Sequence, residues 1–210
     1  NYSTGEPVVF KTPYHTDFKR DHTHRIVDVA LATSAAPAYF PRHAFNNSQY
    51  VDGGLYANAP GALGLHEAHK FFNQDNDNVR LLAVGTMSSR FTVDPRRNRD
   101  GGVHDWGGWS PIKMSRRLFG LSISAQEVLT DLMLGHRLGE RYLHVDDELH
   151  DERARAVGLD VADENAREVL LGAATQQSKV CISKPAFRAF LEHSPSKPVF
   201  FYGENAQSRP

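Results

Sequence analysis

The sequence predicts an α/β domain of three layers, in which helices cover a mainly parallel sheet. Three observations indicate this class. Residues 79–86 are almost continuously apolar, which is typical of a strand buried in a parallel sheet. Residues 58–72 before them have apolar side chains at helical spacing, and a β-prone Tyr50-Val51 pair precedes that helix. We therefore expect a right-handed strand, helix, strand unit.

Length and composition agree with a single domain. A chain of 210 residues can bury most of its apolar surface in one core. Its net charge of -1 gives no field that would attract a nucleic acid polymer. The single Cys181 cannot form an internal disulfide, which suits a reducing compartment. No apolar run reaches the roughly 18 residues of a membrane span.

The first third of the chain should contain a strand and a helix before the central motif. Residues 8–12 form a β-prone run after a turn-like lead-in. Residues 26–34 have apolar side chains at helical spacing, and Pro37 ends that helix. The polar segment 14–25 contains His15, His22 and His24, and we expect it to be a solvated loop because no metal-ligand spacing is present.

The last third predicts mainly helices. Residues 111–137 should form one or two amphipathic helices, and residues 142–145 a short strand. Asp163 is in position to cap a helix over residues 164–178. A last helix is expected over residues 185–193 and an edge strand over residues 197–202, before a terminus that frays.

The stretch that the rest of the chain supports is YVDGGLYANAP, residues 50–60. Asp52 follows a short strand, and the carboxyl ends of strands are where α/β sheets place their sites. A carboxylate there can accept a proton from a hydroxyl or orient a base. Gly53 and Gly54 can take positive φ and admit another loop. The alternative is that Asp-Gly-Gly is only a turn, since these residues are common in turns.

Two motifs together resemble the catalytic domain of patatin-like phospholipases. They are Asp-Gly-Gly-x-x-x-Asn-x-Pro, which includes Asp52, Gly53, Gly54, Asn58 and Pro60, and the preceding ATSAAPAYFP over residues 32–41. In that family the Asp of this motif belongs to a Ser-Asp dyad. The resemblance therefore implies that Asp52 is catalytic, that the other motif residues support it, and that the fold is the patatin-like one.

The family's nucleophile is missing from these residues. It lies in Gly-x-Ser-x-Gly, with an oxyanion hole made by an earlier glycine-rich loop. Ser110 and Ser122 each follow Gly-x, but Ile112 and Ser124 occupy the place of the final Gly. We therefore expect residues 1–210 to be the carboxy-terminal portion of one patatin-like domain, without its amino-terminal strands and nucleophile elbow.

The resemblance implies a phospholipase A-type lipid acyl hydrolase without cofactor or metal. Its substrate would be a phospholipid or another glycerolipid, reached by peripheral membrane contact from a cytoplasmic location. Some family members are bacterial antiphage effectors, which a cyclic nucleotide switches on to degrade the cell's own membrane. The layout after Asp52 is similar to theirs, so a cyclic-nucleotide activator and a homo-oligomer belong to the same hypothesis.

The sequence is also compatible with other functions. The chain could be a catalytically inactive lipid-binding or regulatory fragment, which the missing nucleophile would explain. It could also be a metal-dependent hydrolase that uses His66 and His69, although their spacing is not that of H-E-x-x-H. The irregular segment 87–110 holds four arginines and two tryptophans. It could contact lipid, or Trp106 and Trp109 could be buried anchors.

Overall fold

The computed structural model describes residues 1–87, 101–149 and 151–207. The chain divides into two compact units, of which one comprises Asn1–Tyr56 with Ser194–Pro210 and the other Ala57–His193. The described helices and short strands confirm the predicted α/β class. None of these helices combines the length and apolar character that a membrane crossing requires. That residues 1–210 belong to one domain stays a prediction.

The first unit contains one helix and a hairpin. Helix α1, Ile26–Thr33, confirms the predicted helix. Strands β1, His43–Phe45, and β2, Ser48–Tyr50, pair antiparallel, with Phe45 opposite Ser48. Asn46 and Asn47 connect them, with φ of 47° and 59°. Asn tolerates positive φ at both positions of a tight hairpin turn, so these two residues fix the register that leads to Asp52.

Helix α2, Gly54–Ala57, begins after the short segment 51–53 that follows the hairpin. The further helices are α3 (Gly61–Phe71), α4 (Pro111–Leu138), α5 (Asp151–Ala156), α6 (Glu164–Ile182) and α7 (Pro185–Leu191). Residues 111–137, predicted as one or two helices, form one. As predicted, Asp163 caps α6: its Oδ1 accepts from the Ala166 N–H at 2.8 Å.

The sheet of the second unit is a parallel pair. Strand β3, Leu81–Val84, pairs with β4, Tyr142–Val145, and Leu81 lies opposite Tyr142. The buried core beside it consists of Leu65, Leu134 and Leu138, with Val79, Leu81 and Tyr142 packed against it. Gly61 lets α3 approach α4 closely, since a Cβ there would lie 2.6 Å from Leu134 Cδ1.

Two strand predictions are wrong. Residues 8–12 form no strand, because their backbone groups bond to side chains: the Lys11 N–H donates to Asp21 Oδ2 at 2.9 Å, and the Val8 carbonyl accepts from the Tyr56 hydroxyl at 3.1 Å. Residues 197–202 contribute only an isolated bridge between Phe200 and Ala206. Pro198 in that run has no N–H to donate.

The predicted crossover unit also differs from the structure. We expected the strand before Asp52 to lie beside residues 79–86 in one parallel sheet. In the described residues β2 pairs with β1, whereas β3 pairs with β4. The tight Asn46-Asn47 turn explains the difference, because a two-residue connection joins antiparallel neighbours.

Candidate active site

The two family-like segments meet through their backbones beside Asp52. The Asp52 N–H donates to the Ala35 carbonyl at 3.0 Å, and the Gly53 N–H donates to the Thr33 carbonyl at 3.4 Å. Asp52 itself lies two residues after the end of β2. The end of α1 and the segment after the hairpin therefore fix the position of this carboxylate together.

The carboxylate of Asp52 is half-buried and oriented by one short contact. Its Oδ1 accepts from the Gly54 N–H at 2.6 Å, at the start of α2. No other hydrogen bond reaches the carboxylate from the described part of the chain, so Oδ2 has an open acceptor position. The bond to Gly54 is also the contact of an Asx turn. One carboxylate oxygen thus closes a turn while the other stays open.

The two glycines do not act as we expected. Neither Gly53 nor Gly54 has a positive φ, so that prediction is wrong. A Cβ on Gly53 would lie 3.5 Å from Thr33 Oγ1, an ordinary van der Waals distance. Gly54 is buried at the first position of α2. The positive φ that turns the chain toward Asp52 belongs instead to Asn46 and Asn47.

Small buried residues allow the close approach at this site. Ala32, Ala35 and Ala36 are only 2–3% exposed. Ser34 is not oriented as a nucleophile within this unit: its hydroxyl donates to the Ala30 carbonyl at 2.8 Å and so closes the last turn of α1. Its hydroxyl therefore has a backbone role at the end of the helix.

Sequence reasoning missed a buried carboxylate in the same unit. Asp28 is 8% exposed, and it accepts from Arg25 Nε at 2.7 Å and lies 3.0 Å from His43 Nε2. Arg25, and after it His43, lowers the pKa of Asp28 below its ordinary value. The spacing of three residues between Arg25 and Asp28 could have predicted their ion pair. The contact with His43 joins distant residues, so the sequence gives no sign of it.

The last two motif residues lie in the second unit and organise the entry to α3. Asn58 Nδ2 donates to Glu127 Oε1 of α4 at 2.6 Å. Pro60 is the residue before the helix, and its carbonyl accepts from the Gly64 N–H at 3.0 Å. Pro at this end of a helix loses no intrahelical hydrogen bond. Asn58 and Pro60 are therefore structural residues in the described geometry.

Part of the histidine-rich segment is packed rather than solvated, which corrects our expectation. The His24 side chain is 11% exposed and makes an edge contact with Phe10, while His22 stacks on Tyr202. These residues border a cavity of about 610 Å³ in the first unit. Its lining also contains the acids Asp21 and Glu204 and the cation Lys11.

The other residues that the sequence suggested as functional form no catalytic group among the described residues. Ser110 caps α4 by accepting from the Lys113 N–H, and Ser122 accepts from Gln126. Among the described residues, no three or more His, Cys, Asp or Glu side chains lie together as a metal site would require. His66 and His69 therefore belong to no such group. Trp106 is 36% exposed and Trp109 is 90% exposed, so Trp109 is not a buried anchor within the described residues. The arginines at positions 90, 96, 97 and 99 fall outside the described residues.

Comparison with known proteins identifies the family. The family model described as patatin-like phospholipase matches residues 4–63, which include both motifs. A cGAMP-activated phospholipase of Pseudomonas aeruginosa is 40% identical over 207 residues, covering 98% of this chain and 60% of the relative. Those of Escherichia coli and Vibrio cholerae are 33% and 34% identical over 94% and 77% of the chain.

The similarity to these relatives thus extends from the two motifs through helices α4 and α6. The chain spans 60%, 58% and 48% of the length of these three relatives. The patatin-like fold that the paired motifs implied agrees with the described helices and the parallel pair of strands. This chain belongs to the patatin-like phospholipase family.

Proposed function

We propose that the whole protein is a lipid acyl hydrolase of the phospholipase A type, with Asp52 as the acid of a Ser-Asp dyad. The observation that supports this most is the way Asp52 is held. Its N–H donates to the Ala35 carbonyl, and only Oδ1 of the half-buried carboxylate accepts a hydrogen bond from the described residues, so Oδ2 is available. This geometry lies within the segment that the family model matches. The serine would come from outside these 210 residues, since Gly-x-Ser-x-Gly does not occur in them.

The proposed reaction needs one proton acceptor on this chain. The serine hydroxyl attacks the ester carbonyl, and its proton passes to Asp52. Backbone N–H groups stabilise the tetrahedral oxyanion. The lipid alcohol then leaves with the proton from Asp52, and a water molecule cleaves the acyl-serine by the same route. The products are a free fatty acid and a lysolipid. Asp52 is suited to this role because Oδ1 is already fixed by Gly54.

We also infer regulation by a cyclic nucleotide, because three relatives are named cGAMP-activated phospholipases. Activity in antiphage defence would follow from such regulation. The protein would act from the cytoplasm, with transient contact to the membrane that contains its substrate. Fatty-acid release measured with and without added cGAMP tests the activation, and equal release in both would contradict it.

The catalytic role of Asp52 is tested by fatty-acid release from phospholipid vesicles. Asp52→Asn keeps an oxygen that can accept from Gly54 but removes the basic group, so activity of the full-length protein should fall by about 10²–10⁴-fold. Asp17→Asn is the matched control, because the Asp17 side chain is 75% exposed in the same unit. Unchanged activity of Asp52→Asn would refute the dyad.

The same variant separates the enzyme from a binding-only protein. A catalytically inactive lipid-binding or regulatory protein would bind vesicles and release no fatty acid, with or without Asp52→Asn. Adding EDTA tests the metal-dependent alternative, since a Ser-Asp dyad needs no metal and should keep its full activity. Loss of activity with EDTA would favour the metal hydrolase.

A further inference from the structure

The hairpin of the first unit is tied to helix α1 at two points. At the first point His43, the first residue of β1, lies 3.0 Å from Asp28 of α1, measured from Nε2 to Oδ1. At the second point the Asp52 N–H donates to the Ala35 carbonyl at 3.0 Å, just beyond the end of the same helix. The segment that carries Asp52 therefore follows a hairpin whose open end is held by a pair of side chains.

The distance between the two points agrees on both elements. His43 lies opposite Tyr50 in the hairpin register, and Asp52 follows Tyr50 by two residues. Two residues of extended chain span about 7 Å. Along α1, the rise from Asp28 to Thr33, the last residue of the helix, is about 7.5 Å at 1.5 Å per residue. A contact formed at Asp28 therefore brings Asp52 to the end of the helix.

Asp28 is a buried acid with two partners of different kinds. Arg25, the N-cap of α1, donates to it from Nε at 2.7 Å and from Nη2 at 3.1 Å, and the side chain of Arg25 is 76% exposed. His43 comes from the hairpin, and its side chain is 23% exposed. Because Asp28 is ionised and can only accept, Nε2 of His43 donates the proton of their hydrogen bond. Arg25 thus pairs locally, whereas His43 joins Asp28 to another element.

A third contact holds the hairpin at its turn. Asn46 Nδ2 lies 3.1 Å from His24 Nδ1, and this contact is exposed. The turn is the end of the hairpin that is farther from Asp52, since Asn46 precedes β2 and Asp52 follows it. The pair of Asp28 and His43 therefore constrains the end from which Asp52 emerges.

We propose that Asp28 and His43 are a positioning pair, which holds the hairpin on α1 so that the Asp52 carboxylate lies where it can accept the proton of the serine. The two residues act through the backbone of β2 and do not themselves react. This assignment rests on the proposed function, which makes Asp52 the proton acceptor. Displacing a catalytic group by about 1 Å can cost about 10²-fold in rate, so a pair remote from the reacting atoms can have a large effect.

Hydrolysis of a monomeric water-soluble ester by the full-length protein gives kcat and KM for each variant. His43→Leu keeps an apolar side chain but cannot donate, and it should lower kcat about 10–10²-fold with little change in KM. His43→Gln still offers an N–H at the end of its side chain and should restore most of kcat. Arg25→Gln is the matched control, because it removes the exposed partner of Asp28 and leaves the link to the hairpin. Its kcat should be close to that of the wild type.

Two kinetic results would overturn the proposal. The first is a wild-type kcat in His43→Leu. The second is an equal loss of kcat in His43→Leu and His43→Gln, because the hydrogen bond would then not be the cause of the loss.

Amide hydrogen exchange tests the positioning without any catalysis. Peptides of the full-length protein that contain Asp52 and Gly53 are followed by mass spectrometry. In His43→Leu these two N–H groups should exchange about tenfold faster or more, because their bonds to the carbonyls of Ala35 and Thr33 open more often. The N–H groups inside α1 should stay protected. Unchanged exchange at Asp52 and Gly53 would contradict the positioning role. An equal increase throughout α1 would also contradict it, since the pair would then stabilise the unit as a whole.

The two measurements separate this pair from the proposed activity. If His43→Leu accelerates exchange at Asp52 and Gly53 while Asp52→Asn keeps full activity, the pair positions the segment and the proposed dyad fails. If Asp52→Asn is inactive while His43→Leu neither slows hydrolysis nor accelerates exchange, the dyad stands and the positioning pair fails.

Discussion

The Asp52 N–H donates to the Ala35 carbonyl oxygen at 3.0 Å, so the segment after the hairpin is joined to the segment after α1. The buried Ala35 and Ala36 have no side chain that would hold these backbones apart. A larger residue at either position would displace Asp52 from the backbone that orients it. The alanines of residues 32–41 and the Asp-Gly-Gly motif thus act together to hold Asp52 in place.

The structural and chemical contributions of Asp52 can be separated by two substitutions. Asp52→Ala leaves the Gly54 N–H without its acceptor and should cost about 1 kcal/mol of unfolding free energy, as loss of a helix cap does. Asp52→Asn retains an acceptor and should cost little. Thermal unfolding followed by circular dichroism compares the two variants. Equal destabilisation of both would show that the contact with Gly54 does not stabilise the fold.

Gly85 should tolerate no side chain. A Cβ there would lie 2.2 Å from the Asp146 carboxyl carbon, and that carboxylate is held by the N–H groups of Met87 and Asp147. Gly85→Ala should therefore cost roughly 1–3 kcal/mol of unfolding free energy, as overpacking does. Gly64→Ala is the control, because a Cβ there meets nothing within 4 Å. It should stabilise α3 by roughly 0.5–1 kcal/mol.

A double-mutant cycle tests the cause of the Gly85 effect. In an Asp146→Ala background the clash partner is absent, so Gly85→Ala should cost much less than in the wild type. Chemical denaturation of the four proteins gives the coupling. The same cost in both backgrounds would assign the effect to the backbone instead of to Asp146.

The stability of the first unit should depend on Asp28 in acid. Arg25 and His43 lower the pKa of Asp28 in the folded protein, so its contribution is complete above the unfolded pKa and disappears as the pH falls through the folded pKa. Asp28→Asn should therefore flatten the loss of melting temperature below about pH 4. The exposed Asp17→Asn should leave that slope unchanged. A slope that is identical in Asp28→Asn and the wild type would contradict the assignment.

The core of the second unit depends on Leu134, which is 2% exposed. Leu134→Ala should cost roughly 2–5 kcal/mol of unfolding free energy, because it leaves a cavity between α3, α4 and β3. Leu132→Ala, two residues away and 54% exposed, should be close to neutral. Urea denaturation of the isolated variants measures both. Similar costs at the two positions would mean that α4 buries a different face.

Local patterns predicted the long elements and the position of Asp52. Helical spacing and caps identified α1, α4 and α6, because these signals lie within a few residues of one another in the chain. The hairpin before Asp52 had a signal that we did not use, the Asn46-Asn47 pair between two short extended segments. Composition did not indicate which strands would pair, because pairing depends on contacts between distant residues.

The site was predictable in part for the same reason. The paired motifs indicated Asp52. The bond between Asp52 and Ala35 joins residues that are 17 positions apart, and no local pattern records it. The partnership of Asp28 with His43 is likewise long-range. Burial of Asp28 was unexpected because an acid is seldom buried unless it is paired.

Fatty-acid release from mixed phospholipid vesicles tests the central claim most directly. The 210-residue chain should be assayed beside the longest polypeptide that its source makes, each as wild type and as Asp52→Asn. We predict that only a longer polypeptide releases fatty acid and that Asp52→Asn abolishes this release. Release by the 210-residue chain alone would contradict the account, because its nucleophile would then lie within a sequence that contains no Gly-x-Ser-x-Gly.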